Sequence, residues 1–209
     1  MIKKIETRED SERKKRRTKL VIGIIIIVLM IFSTIGFAMI GNNQEVIDNT
    51  VYNGYKFTST SSGWQTTVQG QTITTSYFPT EVLNVTGSNV YAFDFTGQIV
   101  YIAVGSQEEI YDVNELGNLN NIAERSQFAC QPKAENSSFC QESSLPIKSC
   151  EDVNSSNTAR VIIINSNVTE PASYTYYNNC LTINAKSADL KIAVDNFIFK
   201  IFGIIKWMK

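Results

Sequence analysis

The chain has 209 residues, with 19 Lys/Arg against 20 Asp/Glu, a formal charge of −1 and no histidine. The absence of histidine excludes Ser-His-Asp and Cys-His nucleophile systems, HExxH zinc sites and His-ligated metals, and it removes the usual pH switch. The near-neutral total hides an asymmetry: residues 1–19 carry nine Lys/Arg against four Asp/Glu, and the remainder carries ten against sixteen.

Residues 1–19 read as a basic cytoplasmic tail. Between Lys19 and Glu45 no charged residue occurs, and residues 20–40 read LVIGIIIIVLMIFSTIGFAMI. At 1.5 Å per residue such a helix spans about 30 Å, the thickness of a bilayer's hydrocarbon core. It has no polar face for a soluble packing partner. Residues 20–41 are therefore expected to be a transmembrane signal-anchor helix. The flanks orient it, with Arg13-Lys14-Lys15-Arg16-Arg17 before it and Gly41-Asn42-Asn43-Gln44 after it. Positive residues stay inside, so the expectation is a single-pass protein of the cell membrane with its C-terminal domain extracytoplasmic. Two processing alternatives are a cleaved signal peptide and a type IV pilin-like leader. The apolar run is long for the first. The second lacks the small residue at the cut and the Glu early in the helix.

Residues 42–50 form a polar linker, and residues 51–209 one extracytoplasmic domain. That domain has no basic surplus, which argues against nucleic acid as a partner. Its first third predicts strands. An Asn53-Gly54 turn precedes the alternating residues 55–58. Residues 64–68 and 72–78, linked around Gly70, complete a meander rich in Thr, Tyr and Phe. Residues 90–95 and 99–104 read as a hairpin around Thr96-Gly97, the second arm a continuous apolar run.

Residues 107–125 place Ile110, Val113, Leu116, Leu119 and Ile122 at three-residue steps and predict a helix. Residues 126–160 are polar and read as a stapled loop. Residues 161–164 predict a buried strand, and 174–177 and 180–183 a pair of strands around Asn178-Asn179. The last segment, 187–209, predicts an amphipathic helix. Leu190, Ala193, Val194, Phe197, Ile198, Ile201, Ile204, Ile205 and Met208 form its apolar face, and Lys191, Asp195, Lys206 and Lys209 a stripe opposite. Phe199, Phe202 and Trp207 lie off that face. They either cover the edges of the packing surface or contact lipid or a partner. The fold class expected is α+β: a mostly antiparallel sheet packed against about two helices.

The four cysteines, Cys130, Cys140, Cys150 and Cys180, all lie beyond the anchor. Their wide spacing lacks the close pairs of a zinc site. An even count in an oxidising compartment reads as two disulfides. Three pairings are open; the favoured one is Cys130–Cys140 with Cys150–Cys180. Sequons at Asn84, Asn136, Asn154 and Asn167 make the chain a glycoprotein candidate in a host that glycosylates outer proteins.

No Walker or Rossmann glycine pattern and no SxxK pair occurs, so no cofactor, metal or catalytic residue is assigned. The carboxylates considered for paired acid–base work are Asp94, Glu108, Glu109, Glu151 and Asp152. Each has a simpler role at a turn, a helix start or a solvated loop. The function expected is non-enzymatic binding or scaffolding in the cell envelope, with an envelope protein as partner. The alternatives are an envelope hydrolase using paired carboxylates and a pilin-like surface subunit.

Overall fold

A computed structural model describes residues 18–30, 49–153 and 159–206. The chain divides into two units, residues 1–46 and 47–209. In the first, residues 18–30 form helix α1. Among the described residues no helix is long and apolar enough to cross a membrane. The expected anchor, 20–41, continues past residue 30 into a stretch outside the described residues.

The second unit is mixed α and β, with two sheets. The smaller is an antiparallel meander of β1 (Asn49–Tyr52), β2 (Tyr55–Thr60), β3 (Gly63–Val68) and β4 (Gln71–Thr75). Its turns are legible in the sequence. Asn53-Gly54 and Gln69-Gly70 both take positive φ at both positions, as two-residue type I′ hairpin turns require.

The larger sheet runs in the order β5-β9-β10-β8-β6-β7. Its strands are β5 (Thr86–Gly87), β6 (Ile99–Val104), β7 (Arg125–Cys130), β8 (Ala159–Asn165), β9 (Ser173–Tyr177) and β10 (Cys180–Asn184). β9 and β10 are an antiparallel hairpin turned by Asn178-Asn179, again with both φ positive. Every other pairing in this sheet is parallel. The expectation of a mostly antiparallel fold therefore holds for the meander and is corrected for the larger sheet. The apolar runs of β6 (IVYIAV) and β8 (VIII within ARVIIIN) suit strands flanked by parallel neighbours and covered on both faces.

Two local expectations are also corrected. Residues 90–95 are not a hairpin arm: Ala92–Asp94 is a turn of 3-10 helix. Asp94 Oδ2 accepts the Tyr91 N–H at 2.8 Å and Thr96 Oγ1 donates to Ala92 O, which closes the turn. Both edges of β6 are already taken by β7 and β8, leaving no place for an antiparallel arm. The stretch 126–160 is not one loop either. It contains most of β7 and helix α3 (Ser138–Ser143). The expected helix over 107–125 is α2 (Gln107–Asp112) followed by 3-10 helix over Asn114–Asn121.

Helix α4 (Leu190–Ile201) lies between the sheets and is buried on two sides. Phe199 meets Phe57 of β2, ring centroids 5.9 Å apart, while Phe197 meets Phe95 and Tyr174 of β9 at 5.9 and 5.7 Å. The helix ends at Ile201, short of the expected Lys209. Gly203, at φ +73°, donates to Lys200 O, and Ile204 donates to Phe199 O. That is the Schellman ending that glycine makes accessible.

Two assignments on this helix change as a result. Phe199 is fully buried and cannot reach lipid or a partner. Asp195, placed in the exposed stripe, is fully buried as well. Phe202 is partly buried against the core, and Trp207 lies outside the described residues.

Candidate functional site

Four parallel strands, β7, β6, β8 and β10, end at the same side of the larger sheet. From the carboxyl end of β6 the chain leaves through α2 toward β7. From the carboxyl end of β8 it leaves the other way, toward β9 and β10. The crevice between β6 and β8 is thus a topological switch point. In open sheets with parallel strands, crevices at such points are where ligands bind. A cleft of about 520 Å³ opens there.

The cleft is built by residues that follow each apolar run. Gly105 and Ser106 end β6, and Ser106 caps α2 by accepting the Glu109 N–H at 3.3 Å. Glu109, only 8% exposed, turns back beneath the cleft. One of its carboxylate oxygens accepts the Gly105 N–H, and the other accepts the Ser166 hydroxyl proton just past β8. Glu109 thereby ties the ends of β6 and β8 together.

Gln131, just past β7 and 3% exposed, bridges the same strands from the other direction. Its Nε2 donates to Ala103 O of β6 and Ile164 O of β8. Lys133 Nζ donates to Asn165 Oδ1 at 3.3 Å, and Asn165 Nδ2 donates to Asn184 Oδ1 of β10 at 2.9 Å. A line of polar side chains therefore crosses the strand ends and fixes the floor.

The lining carries the hydroxyls of Ser106, Ser137, Ser166 and Ser187, the amide of Asn167, three carboxylates, Glu108, Glu109 and Asp112, and one ammonium, Lys133. Asp112 Oδ1 lies 3.9 Å from Lys191 Nζ. Such a wall can hydrogen-bond a polyhydroxylated or amine-bearing molecule from several sides and repels anions. Among the described residues no group of three or more Cys, Asp or Glu could hold a metal.

Of the five carboxylates considered from sequence, Glu108 and Glu109 come together in this cleft. Asp94 caps the turn at Tyr91. Asp152 accepts from Ser149 N–H and Oγ and holds its neighbour Glu151 in the same capped turn.

The cysteines pair as Cys130–Cys140 and Cys150–Cys180, and no cysteine is free. The first bond ties the end of β7 to α3, beside the cleft. The second ties the 3-10 turn Cys150–Asp152 to the start of β10. Three sequon asparagines, Asn84, Asn136 and Asn167, are exposed, Asn167 on the lip of the cleft. Asn154 lies outside the described residues.

Sequence inspection missed Gln131, Lys133 and Asn165. The one available signal was the abrupt change from an apolar run to small or polar residues, Val104-Gly105-Ser106 and Ile164-Asn165-Ser166. That change marks a strand end only when the strand is known to be parallel and central. No protein family, curated protein or solved structure matches this chain.

Proposed function

We propose that this chain is an extracytoplasmic binding domain held at the cell membrane by its N-terminal apolar segment, and that it takes a small polyhydroxylated or amine-bearing molecule in the cleft between β6 and β8. The observation that carries the binding role is the floor of that cleft. Glu109 spends both carboxylate oxygens fixing the ends of β6 and β8, Gln131 bridges the same strands, and the lining beside Glu109 is polar, with Glu108, Lys133, Asn167 and Ser187. A floor already fixed by these bonds spares a ligand the cost of ordering it. The extracytoplasmic placement is supported by the two disulfides, which persist in oxidising compartments. It is supported also by the basic run before residue 20.

A binding role fits this chemistry better than hydrolysis. Glu109 already accepts from two donors and Asp112 faces Lys191, so Glu108 lacks a second uncommitted carboxylate among the described lining residues. The test is a photo-crosslinking amino acid placed at Ser187, on the exposed rim, and illuminated in native membranes. A discrete small-molecule adduct at position 187, absent when the probe replaces exposed Tyr177, supports the proposal. Equal labelling at both positions, or none at 187, refutes it.

A further inference from the structure

One lysine stands between a buried acid and the wall of the polar cleft. Lys191 and Asp195 are four residues apart on α4, a spacing that puts their side chains on neighbouring turns of one helix face. On its other side, Lys191 Nζ lies 3.9 Å from Asp112 Oδ1, and Asp112 lines the cleft. At that distance, with the Lys191 side chain 40% exposed, the ammonium is loosely held.

Asp195 is fully buried and half satisfied. Its Oδ2 accepts the Tyr77 N–H, while Oδ1 is buried without a donor. Glu115 repeats the pattern: Oε1 accepts the Ser76 hydroxyl, and buried Oε2 has no donor. A dehydrated carboxylate oxygen without a donor favours a proton or a nearby cation. Burial, and then the charge of Glu115, pushes the Asp195 carboxyl up to about 8, while Lys191 draws it down.

The other titratable groups on elements packed against α4 are engaged elsewhere. Glu81, of the 3-10 turn Pro79–Val82, accepts the Phe78 N–H. On β9, the Tyr174 hydroxyl donates to Asn196, and Tyr176 answers to Arg160 and Asp94. β10 carries no charged residue, and Asp189 sits before the helix, in the 3-10 turn Ser187–Asp189. On α4 itself, Lys200 donates to Val85 O. The charges that act on Asp195 are Glu115 and Lys191.

We propose that Lys191 is a counter-ion shared between Asp112 and Asp195, so that loss of the Asp195 proton draws the ammonium off the cleft wall and bares Asp112 to the cleft. The proton leaves to solvent, and Lys191 swings toward the new charge. A bared Asp112 near Glu108 is a seat for the ammonium of an amine-bearing ligand. By linkage, such a ligand promotes release of the Asp195 proton. That consequence rests on the cleft being a ligand site; the coupling does not, and its test needs no ligand.

The test follows the side-chain carboxyl carbons of 13C-labelled aspartate in the whole chain, in phosphatidylcholine nanodiscs, through a pH titration. The chain has seven aspartates, and Asp→Asn substitutions assign their resonances. The Asp112 resonance should show an inflection at the Asp195 midpoint, expected at about pH 8, and Asp152 should show none there. The inflection should vanish in Asp195→Asn and in Lys191→Met. Lys191→Met should also raise the Asp195 midpoint by about one pH unit. Asp112→Asn, which leaves Lys191 to Asp195 alone, should lower it. In Glu115→Gln the Asp195 midpoint should fall and the Asp112 inflection should follow it.

An Asp112 resonance that is flat through the Asp195 midpoint, an inflection that survives Lys191→Met, or an Asp195 midpoint unmoved by Lys191→Met would each overturn the proposal. A missing Ser187 crosslink alongside the predicted inflection would refute the ligand reading and leave the coupling standing.

Discussion

Asp195 of α4 and Glu115 of the 3-10 segment close on neighbouring residues of one turn, Tyr77 and Ser76. The Ser76 hydroxyl donates to Glu115 Oε1, while the Tyr77 N–H donates to Asp195 Oδ2 at 2.8 Å. Each carboxyl keeps one buried oxygen, Asp195 Oδ1 and Glu115 Oε2, without a donor. The turn after β4, the 3-10 segment and α4 are thus joined through two acidic groups.

Burial, and secondarily the charge of Glu115, pushes the Asp195 carboxyl up to about 8, against the pull of the Tyr77 and Ser76 amides and of Lys191. Its ordinary value is 3.8, so between about pH 4 and pH 8 the folded chain holds a proton that the unfolded chain releases. Stability from this group is complete below pH 4, falls as pH rises, and is lost above 8. The slope should approach about 1.4 kcal/mol per pH unit at most. Asp195→Asn keeps an acceptor for the amides and should flatten the profile. Urea unfolding from pH 5 to pH 9, with disulfides intact, measures both.

Phe199 and Phe197 should be equally costly to truncate, since each is fully buried, one toward β2 and one toward β9. Phe197→Ala and Phe199→Ala should each lower stability by about 3–5 kcal/mol, and Ile201→Ala by about 2–5 kcal/mol. Thermal unfolding followed by circular dichroism checks this. A Phe199 variant with unchanged stability would place that side chain at the surface.

The floor of the polar cleft should be stiff and sensitive to substitution. Gln131→Ala removes donors to two carbonyls at the ends of β6 and β8 and should cost about 1–3 kcal/mol. Lys133→Ala, at an exposed side chain, should cost under about 1 kcal/mol. Amide hydrogen exchange should speed up at Gly105 in Glu109→Ala, which removes that amide's acceptor.

The strands and turns that sequence disclosed are those whose signal is local. Asn53-Gly54 and Asn178-Asn179 carry their turn chemistry in two residues, and the apolar run of β8 announces a central strand. The parallel topology was hidden because the helices in the crossovers are short. α2 and α3 have six residues each, and β7 (RSQFAC) is an edge strand with a half-polar pattern. On α4 a single helical wheel assumes burial on one side. The helix is buried on two, so Phe199 and Asp195 were assigned outward. The polar cleft arises from four stretches of the chain, 105–112, 133–137, 166–167 and 187, meeting at strand ends, which no spacing rule reveals without the sheet order.

The Cys150–Cys180 bond closes a loop of 30 residues and should stabilise by roughly 3–4 kcal/mol in the chain-entropy account. Cys150→Ser with Cys180→Ser should lower the unfolding midpoint accordingly. Non-reducing mass mapping of native protein should find the pairs Cys130–Cys140 and Cys150–Cys180.

A glycan or an engineered bulky adduct at Asn167 should close the polar cleft, since that residue stands on its lip. Asn167→Cys labelled with a polymer maleimide should abolish the Ser187 crosslink, whereas the same label at exposed Asn84→Cys, which does not line this cleft, should leave it.

The placement of the domain is tested most directly by protease added to intact cells that express the chain with an epitope tag before Met1. Residues 47–209 should be digested while the tag and a short membrane-bound fragment survive until the cells are lysed. A domain that resists protease until lysis, or a tag lost from intact cells, would contradict it.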